Sequence, residues 1–275
     1  MKNVAIIGAS GFIGSYLVNN LNLQPKSLYN IIPVSRKTHK ISSCKEVKEF
    51  LETNNIHTVV NCAFHGSSVI QTDIKHNLDL FLNFYNNSNL FEHYINVGSG
   101  AELMVSDRPR KEEDITDYWD IEEDDYSFTK NVIARLCLEK DNFTTLRVFG
   151  CFDRTEPDHR LFKKFVNKEV NALNNIKFDY ISAKDFTSIV RFYIENYGSL
   201  TYAGSYALHK DINCVYNTKY SLQIIVEYFF EVNNIERYNY RVQNMCEYNY
   251  IGDGSKLALL PIEFEGLWEG LKNYV

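Results

Sequence analysis

The chain has 275 residues, 45% of them hydrophobic and 23% charged, with a formal net charge of −6. This suits one large α/β domain, or a main domain with a smaller appendage, around a sizeable core. The acidic balance excludes a general attraction to nucleic acid or to anionic membranes, so a phosphate-bearing ligand has to be met by local cations and backbone amides.

Residues 3–8 (NVAIIG) form a short, almost wholly apolar run, the pattern of a strand buried on both faces of a parallel sheet. Helical apolar spacing follows over 12–21. A second buried strand is expected at 30–34, ending at Ser35-Arg36-Lys37, then a helix at 45–51 and a strand at 57–61. The spacing predicts helices over 73–85 and 125–138, and strands over 93–97 and 144–149. Strand and helix alternate throughout this half, which predicts an α/β fold with a doubly wound parallel sheet.

After Gly150 the rhythm changes. A polar loop containing Pro157 spans 151–159, a basic helix is expected over 160–173, and 178–181 is expected to return a strand to the sheet. Helices are expected at 221–232 and 265–274. The resulting division is a dinucleotide-binding domain over 1–150, with a returning segment near 178–195. A smaller C-terminal α/β lobe for substrate then comes from 151–177 and 200–275.

The six cysteines, Cys44, Cys62, Cys137, Cys151, Cys214 and Cys246, show no CxxC and no histidine cluster at metal spacing. They read as reduced thiols, and no metal site is expected. Met1 leads straight into the first strand without a leader pattern, and no apolar run approaches the ~18–20 residues of a membrane span. The expectation is a soluble, cytoplasmic protein with no membrane insertion and no nucleic-acid partner.

Gly8, Gly11 and Gly14 punctuate the turn between the first strand and helix with GxxGxxG spacing. Gly8 would end the strand, Gly11 would admit a pyrophosphate, and Gly14 would let helix and strand pack closely. An ordinary tight connection could use the same glycines. The second strand ends at Ser35-Arg36 with no carboxylate, which favours the 2′-phosphate of NADP(H) over NAD, although a solvated basic turn looks the same.

Tyr126 and Lys130 stand one helical turn apart on one face. A nearby ammonium favours the phenolate, so Lys130 is expected to lower the phenol's pKa into acid–base range. An i,i+4 pair on an amphipathic helix is the plain alternative. Ser99 lies at the carboxyl end of a predicted central strand, the edge at which open parallel sheets bind ligands. Its hydroxyl could bond the same carbonyl oxygen that Tyr126 protonates.

With these elements in this order, the chain resembles the extended short-chain dehydrogenase/reductase family, in its NAD-dependent epimerase/dehydratase-like, nucleotide-sugar-modifying branch. Gly8 to Gly14 matches that family's glycine turn, Asn61-Cys62-Ala63 its NAA-like motif, and Ser99, Tyr126 and Lys130 its catalytic positions. Phe178-Asp179-Tyr180-Ile181 with Asp185 is similar to the RDYI-type segment of the branch. Asp253-Gly254-Ser255-Lys256-Leu257 with Gly266 to Gly270 is similar to its C-terminal lobe. The resemblance implies a Rossmann-like fold. It also implies cofactor contacts at Gly8, Ser10, Gly11, Phe12, Ile13, Ser35, Arg36, Cys62, Ala63, Val97, Tyr126 and Lys130. Substrate contacts are implied at Ser99, Phe149 and Gly150, and Arg160 is chosen among Arg160, Lys163 and Lys164 for the diphosphate.

Departures from the branch narrow the reaction. Its dehydratases carry Thr-Asp-Glu where this chain has Ser99-Gly100-Ala101, and its epimerase-reductases carry a cysteine at the position of Ala101. Its 4-epimerases resemble the acidic second-strand type, unlike Ser35-Arg36. The resemblance then implies an NADPH-dependent ketoreductase of a TDP-, CDP- or GDP-linked 4-keto-6-deoxy sugar, in surface-polysaccharide (lipopolysaccharide O-antigen) biosynthesis. A 4-epimerase with retained cofactor and a non-catalytic NADP-sensing protein are the alternatives. A family-like homodimer would use the helices at 73–85 and 125–138, whose excess apolar residues include Leu80, Phe84, Ile133, Leu136 and Leu138. Burial beneath the sheet would account for them equally.

Overall fold

Val4, Ala5, Ile6 and Ile7 are almost wholly covered, as apolar residues on both faces of a central strand must be when helices lie above and below the sheet. The computed structural model describes residues 2–21, 29–66, 71–103, 106–115, 124–198, 209–244 and 248–274. In chain order the first half comprises β1 (Lys2–Ile7), α1 (Phe12–Leu21), β2 (Tyr29–Val34), α2 (Cys44–Thr53), β3 (Ile56–Asn61), α3 (Ile74–Tyr85), β4 (His93–Ser99), α4 (Asp125–Leu138) and β5 (Phe143–Val148). The second half follows with β6 (Cys151–Phe152), α5 (Leu161–Val166), β7 (Ala172–Asn174), β8 (Ile181–Ser182), α6 (Ala183–Asn196), β9 (Asp211–Asn213), α7 (Leu222–Val232), β10 (Arg241–Gln243), α8 (Ser255–Ala258) and α9 (Gly266–Lys272).

The main sheet has the order β2-β1-β3-β4-β5-β9 and is parallel throughout. The chain leaves β1 toward β2 and then crosses back to β3. The switch between β1 and β3 therefore opens a crevice outside their carboxyl ends, where such sheets take ligands.

Alternate side chains go to opposite faces. Val4 and Ile6 join Leu17 and Leu21 of α1 and Phe186, Ile189 and Val190 of α6. Ala5 and Ile7 join Val47 and Phe50 of α2, Phe81 and Phe84 of α3, and Ile133 of α4. Each such large apolar side chain stabilises the fold by about 1.5–3 kcal/mol through burial. A third, aromatic core lies in the second half, where Phe162 and Phe165 of α5 meet Phe229 and Phe230 of α7 and Leu271 of α9.

The helices expected at 73–85 and 221–232 start one residue later. Asp73 and Ser221 are N-caps whose side chains accept from the amides of His76 and Ile224.

Two expectations for the second half are corrected. The helix expected over 160–173 ends at Val166; Lys168 takes a left-handed φ of 59°, and Ala172–Asn174 is a strand paired with β10. The segment 178–181 does not return a strand to the main sheet. Only Ile181–Ser182 is extended in a ladder, and it pairs with Cys151–Phe152. The sixth strand of the main sheet is β9, within the stretch expected to belong to the C-terminal lobe. It reads Asp-Ile-Asn, and its burial depends on partners for its polar groups described below.

Among the described residues, no helix is long and apolar enough to cross a membrane, and no group of three or more His, Cys, Asp or Glu could hold a metal ion. Cys44, Cys62, Cys137, Cys151 and Cys214 are free thiols, while Cys246 lies outside the described residues.

Candidate active site

The glycine turn is shaped by contacts that no side chain would allow. Gly8 has φ of 81°, a left-handed conformation that favours glycine, and a Cβ there would lie 2.7 Å from the Ala63 amide nitrogen. A Cβ on Gly14 would come within 2.2 Å of the Gly8 carbonyl oxygen, so α1 packs directly on the turn. Gly11 differs, since its Cβ would meet only the Gly8 oxygen at 3.4 Å. Its outer side is therefore the one that faces an approaching ligand. On β3, the Asn61 side chain accepts from the Ala63 amide at 3.1 Å and shapes the opposite lip.

Between these lips lies a cleft of about 470 Å³, lined by Gly8, Ser10 and Gly11, by Ser35 and Arg36 from the end of β2, and by Cys62 and Ala63 after β3. Arg36 is exposed at its rim. The glycine cradle, the α1 N-terminus and the basic rim suit a dinucleotide with a 2′-phosphate. Sequence reasoning missed further lining residues, among them His39, Lys40, Phe64, His65 and His76. Phe12 and Ile13 begin α1 with side chains packed partly against the core, and the Phe12 ring lies 5.8 Å from the Arg160 guanidinium.

Phe64 links this cleft to α4. Its ring meets Tyr126 edge-on at 5.1 Å and lies 4.5 Å below the Lys130 ammonium. Asp124 caps α4 by accepting from the Ser127 amide at 2.6 Å, which sets Tyr126 and Lys130 in consecutive turns facing β4. The Lys130 ammonium donates to the Val97 carbonyl at 2.9 Å. Ser99 ends β4, and its hydroxyl accepts from the Ala101 amide at 3.2 Å.

The expected effect of Lys130 on Tyr126 is corrected. Burial raises the phenol's pKa, and the nearby Ser99 hydroxyl and the Arg160 guanidinium act against that rise. Lys130 is itself lowered by burial, against the pull of Glu102, and its ammonium is drawn to the Val97 carbonyl. Tyr126 is thus held as a neutral phenol, the form that gives up a proton.

Phe149 is buried against Gly100 and Gly252, at both of which a Cβ would strike its ring. Gly150 leaves room for the rings of Phe178 and Tyr180. Arg160 donates to the Cys151 carbonyl at 2.8 Å and lies 3.8 Å from Glu156, which ties it to the floor between α1 and the aromatic core.

The largest omission of the sequence reading is a buried ionic network beneath Ser99. The Ser99 amide donates to Glu102 Oε1 at 2.7 Å, while Glu102 Oε2 accepts from Arg147 Nε at 2.7 Å. Arg147 also bonds Asp211 at 2.9 Å and Asn213 at 3.1 Å, which gives the polar strand β9 its partners. Burial works against the guanidinium's charge, but Asp211 and Glu102 outweigh it and raise its pKa. Asn131 of α4 donates to the Glu102 carbonyl at 2.9 Å, so the helix carrying Tyr126 and the loop carrying Ser99 share one anchor. The available signal was a charged residue inside the otherwise buried run TTLRVF.

Residues 4–204 match a family model described as the NAD dependent epimerase/dehydratase family. No curated protein sequence gives a significant match. Among solved structures, the chain is similar to a GDP-mannoheptose C4 reductase from Campylobacter jejuni with NADP bound, at TM-score 0.78 and 16% identity, over 99% of this chain and 96% of that one. It is similar to a dTDP-4-dehydrorhamnose reductase from Bacillus anthracis in complex with NADP, at TM-score 0.76 and 14% identity, over 100% and 99% of the two chains. It is similar also to a dTDP-glucose 4,6-dehydratase from the same organism in complex with NAD, at TM-score 0.78 and 13% identity, over 100% and 95%. At such identities the likeness establishes a Rossmann-like fold along the whole chain. Reductases and a dehydratase share it, so the chemistry has to be argued from the site.

Proposed function

The chain belongs to the NAD dependent epimerase/dehydratase family, and we propose that it is an NADPH-dependent ketoreductase of a nucleotide-linked 4-keto-6-deoxy sugar. The reading is supported above all by the half-buried Tyr126 phenol, kept protonated beside Ser99 and the glycine cleft. In a reduction the phenol has to deliver a proton, and a raised pKa keeps that proton in place until charge develops on the substrate oxygen.

The glycine turn, Ser35, Arg36, Cys62, Ala63 and the Val97 segment would hold NADPH, with Arg36 and Ser35 at its 2′-phosphate. When bound, NADPH supplies the hydride that reduces the C4 carbonyl carbon. Tyr126 donates its proton to the oxygen as the alkoxide forms, and the Ser99 hydroxyl hydrogen-bonds the same oxygen. Lys130, its ammonium held at the Val97 carbonyl, would contact the ribose of the nicotinamide. Phe149 and Gly150 border the sugar, and Arg160 is the proposed cation for the nucleotide diphosphate.

Elimination and epimerisation would need an additional acid or thiol at the reacting carbons. Gly100 and Ala101 supply neither, and Glu102 is sequestered, with one oxygen on the Ser99 amide and the other on Arg147. Two similar structures are those of nucleotide-sugar reductases with NADP, which supports the substrate class. A TDP-, CDP- or GDP-linked sugar, a role in surface-polysaccharide (lipopolysaccharide O-antigen) biosynthesis and a cytoplasmic location complete the proposal. For the homodimer through α3 and α4, Leu138 is exposed and Leu80 and Leu136 are partly so, whereas Phe84 and Ile133 go into the core. Light scattering showing a monomer at micromolar concentration removes it.

The test is incubation with NADPH and a panel of TDP-, CDP-, GDP- and UDP-linked 4-keto sugars. Stoichiometric NADPH oxidation with formation of one sugar alcohol is expected. Cofactor that copurifies with the protein, with sugar interconversion and no net oxidation, would place it among the epimerases instead.

A further inference from the structure

A second phenol reaches the reaction centre from far along the chain. The amide of Tyr250 donates to the Lys177 carbonyl at 2.9 Å, and its carbonyl accepts from the Asp179 amide at 3.0 Å. The Asp179 carboxylate accepts from the Gly252 amide at 2.8 Å and pairs with Lys219 at 2.8 Å. The backbone on both sides of Tyr250 is thereby fixed. Its ring is clamped between Phe149 and Phe178, with centroids 5.0 and 4.9 Å away.

This clamp aims the Tyr250 hydroxyl at Ser99, where the two oxygens stand 3.5 Å apart. A Cβ on Gly100 would lie 2.7 Å from the Tyr250 oxygen, so the absence of a side chain at position 100 is what admits the phenol. Burial, the largest influence on the Tyr250 phenol, keeps it protonated. A protonated phenol has one proton to donate. Nothing in the reduction outlined above uses that donor.

We propose that Tyr250 is a catalytic residue that donates a hydrogen bond to the sugar oxygen at the reacting carbonyl, alongside Ser99. The assignment rests on the ketoreductase reading. Tyr126 transfers its proton to the new alcohol, whereas Tyr250 keeps its proton and stabilises the oxygen while negative charge is greatest on it. Ser99 and Tyr250 together then present two donors from opposite ends of the chain, and the C-terminal segment becomes part of the reaction centre rather than only a wall.

The experiment compares wild type, Tyr250→Phe and Gly100→Ala in NADPH-dependent reduction of the 4-keto sugar panel, with NADPH affinity and thermal melting measured alongside. Tyr250→Phe keeps the ring between Phe149 and Phe178 and removes only the hydroxyl. Its kcat is expected to fall by about 10²-fold, with KM, NADPH affinity and melting near wild type. Gly100→Ala, which leaves the phenol in the chain but places a methyl against it, is expected to lose kcat similarly. Tyr250→Phe turnover within about twofold of an active wild type overturns the assignment while the ketoreductase reading stands. A wild type that reduces no 4-keto sugar overturns that reading, and the assignment with it.

Discussion

Arg147 gives the account its sharpest stability test. The guanidinium is wholly buried and bonds Glu102 at 2.7 Å, Asp211 at 2.9 Å and Asn213 at 3.1 Å. Arg147→Met retains much of the side chain's volume but leaves two carboxylates without their cation. Removing one partner of a buried pair costs about 3–5 kcal/mol, because the charge left behind is neither solvated nor matched. The Asp211 side chain is 10% exposed and regains some hydration, so most of the loss falls on Glu102, whose side chain is 0% exposed. At this chain length the loss corresponds to a fall in Tm of roughly 10 °C.

The loss should also depend on pH. Burial raises the Glu102 pKa, and Arg147 is the largest influence holding it down. Without Arg147 the folded carboxyl rises further above its unfolded value, so the folded state binds more protons than the unfolded one. Its contribution is then fully present below the unfolded pKa and is lost as pH rises through the folded one. Urea melts at about pH 5.5 and pH 8 should show the variant's deficit narrowing at the lower pH. A deficit under about 1 kcal/mol at pH 8, or one equal at both values, would refute the reasoning.

Three further outcomes are expected. Arg36→Ala should weaken NADPH binding by about tenfold or more while leaving NADH binding nearly unchanged, as read by cofactor fluorescence titration; equal losses for both cofactors would remove the 2′-phosphate role. Gly14→Ala should destabilise the protein by about 2 kcal/mol or more, since its Cβ would lie 2.2 Å from a backbone oxygen that cannot rotate away. Burial raises the Glu156 carboxyl to about 7, against the Tyr274 hydrogen bond and Arg160. Its stabilising contribution is therefore full below the unfolded value near ~4.3 and lost as pH rises through about 7. Glu156→Gln should gain on wild type by about 1–3 kcal/mol in denaturant melts between pH 5 and pH 8, and a constant difference would contradict this.

The first half of the fold is legible in the sequence because its central strands are buried on both faces and its helices carry one apolar stripe. Asp73 and Ser221 show how a capping side chain moves a boundary by one residue without changing the element. Strand β9 is not legible. Asp211 and Asn213 look like loop residues until Arg147, 64 positions away from Asp211, supplies their partner. Glu102 is hidden for the same reason, since proximity to Ser99 in sequence does not reveal that its other oxygen lies on β5.

At the site, the residue types and spacing of Ser99, Tyr126 and Lys130 are visible, but the direction of Tyr126's pKa is not. It depends on how deeply α4 seats the phenol and on the Val97 carbonyl that holds Lys130. Tyr250 offers no local signal at all. Only the packing of Phe149 and Phe178 brings it to Ser99.

The central claim is that Tyr126 delivers the proton in a one-step, NADPH-dependent ketone reduction. Its most direct test is Tyr126→Phe, assayed for turnover of a 4-keto nucleotide sugar and, on the same preparation, for NADPH binding. The account predicts NADPH affinity close to wild type with kcat reduced by about 10²–10⁴-fold. Turnover near that of wild type, with NADPH bound equally well, would contradict it.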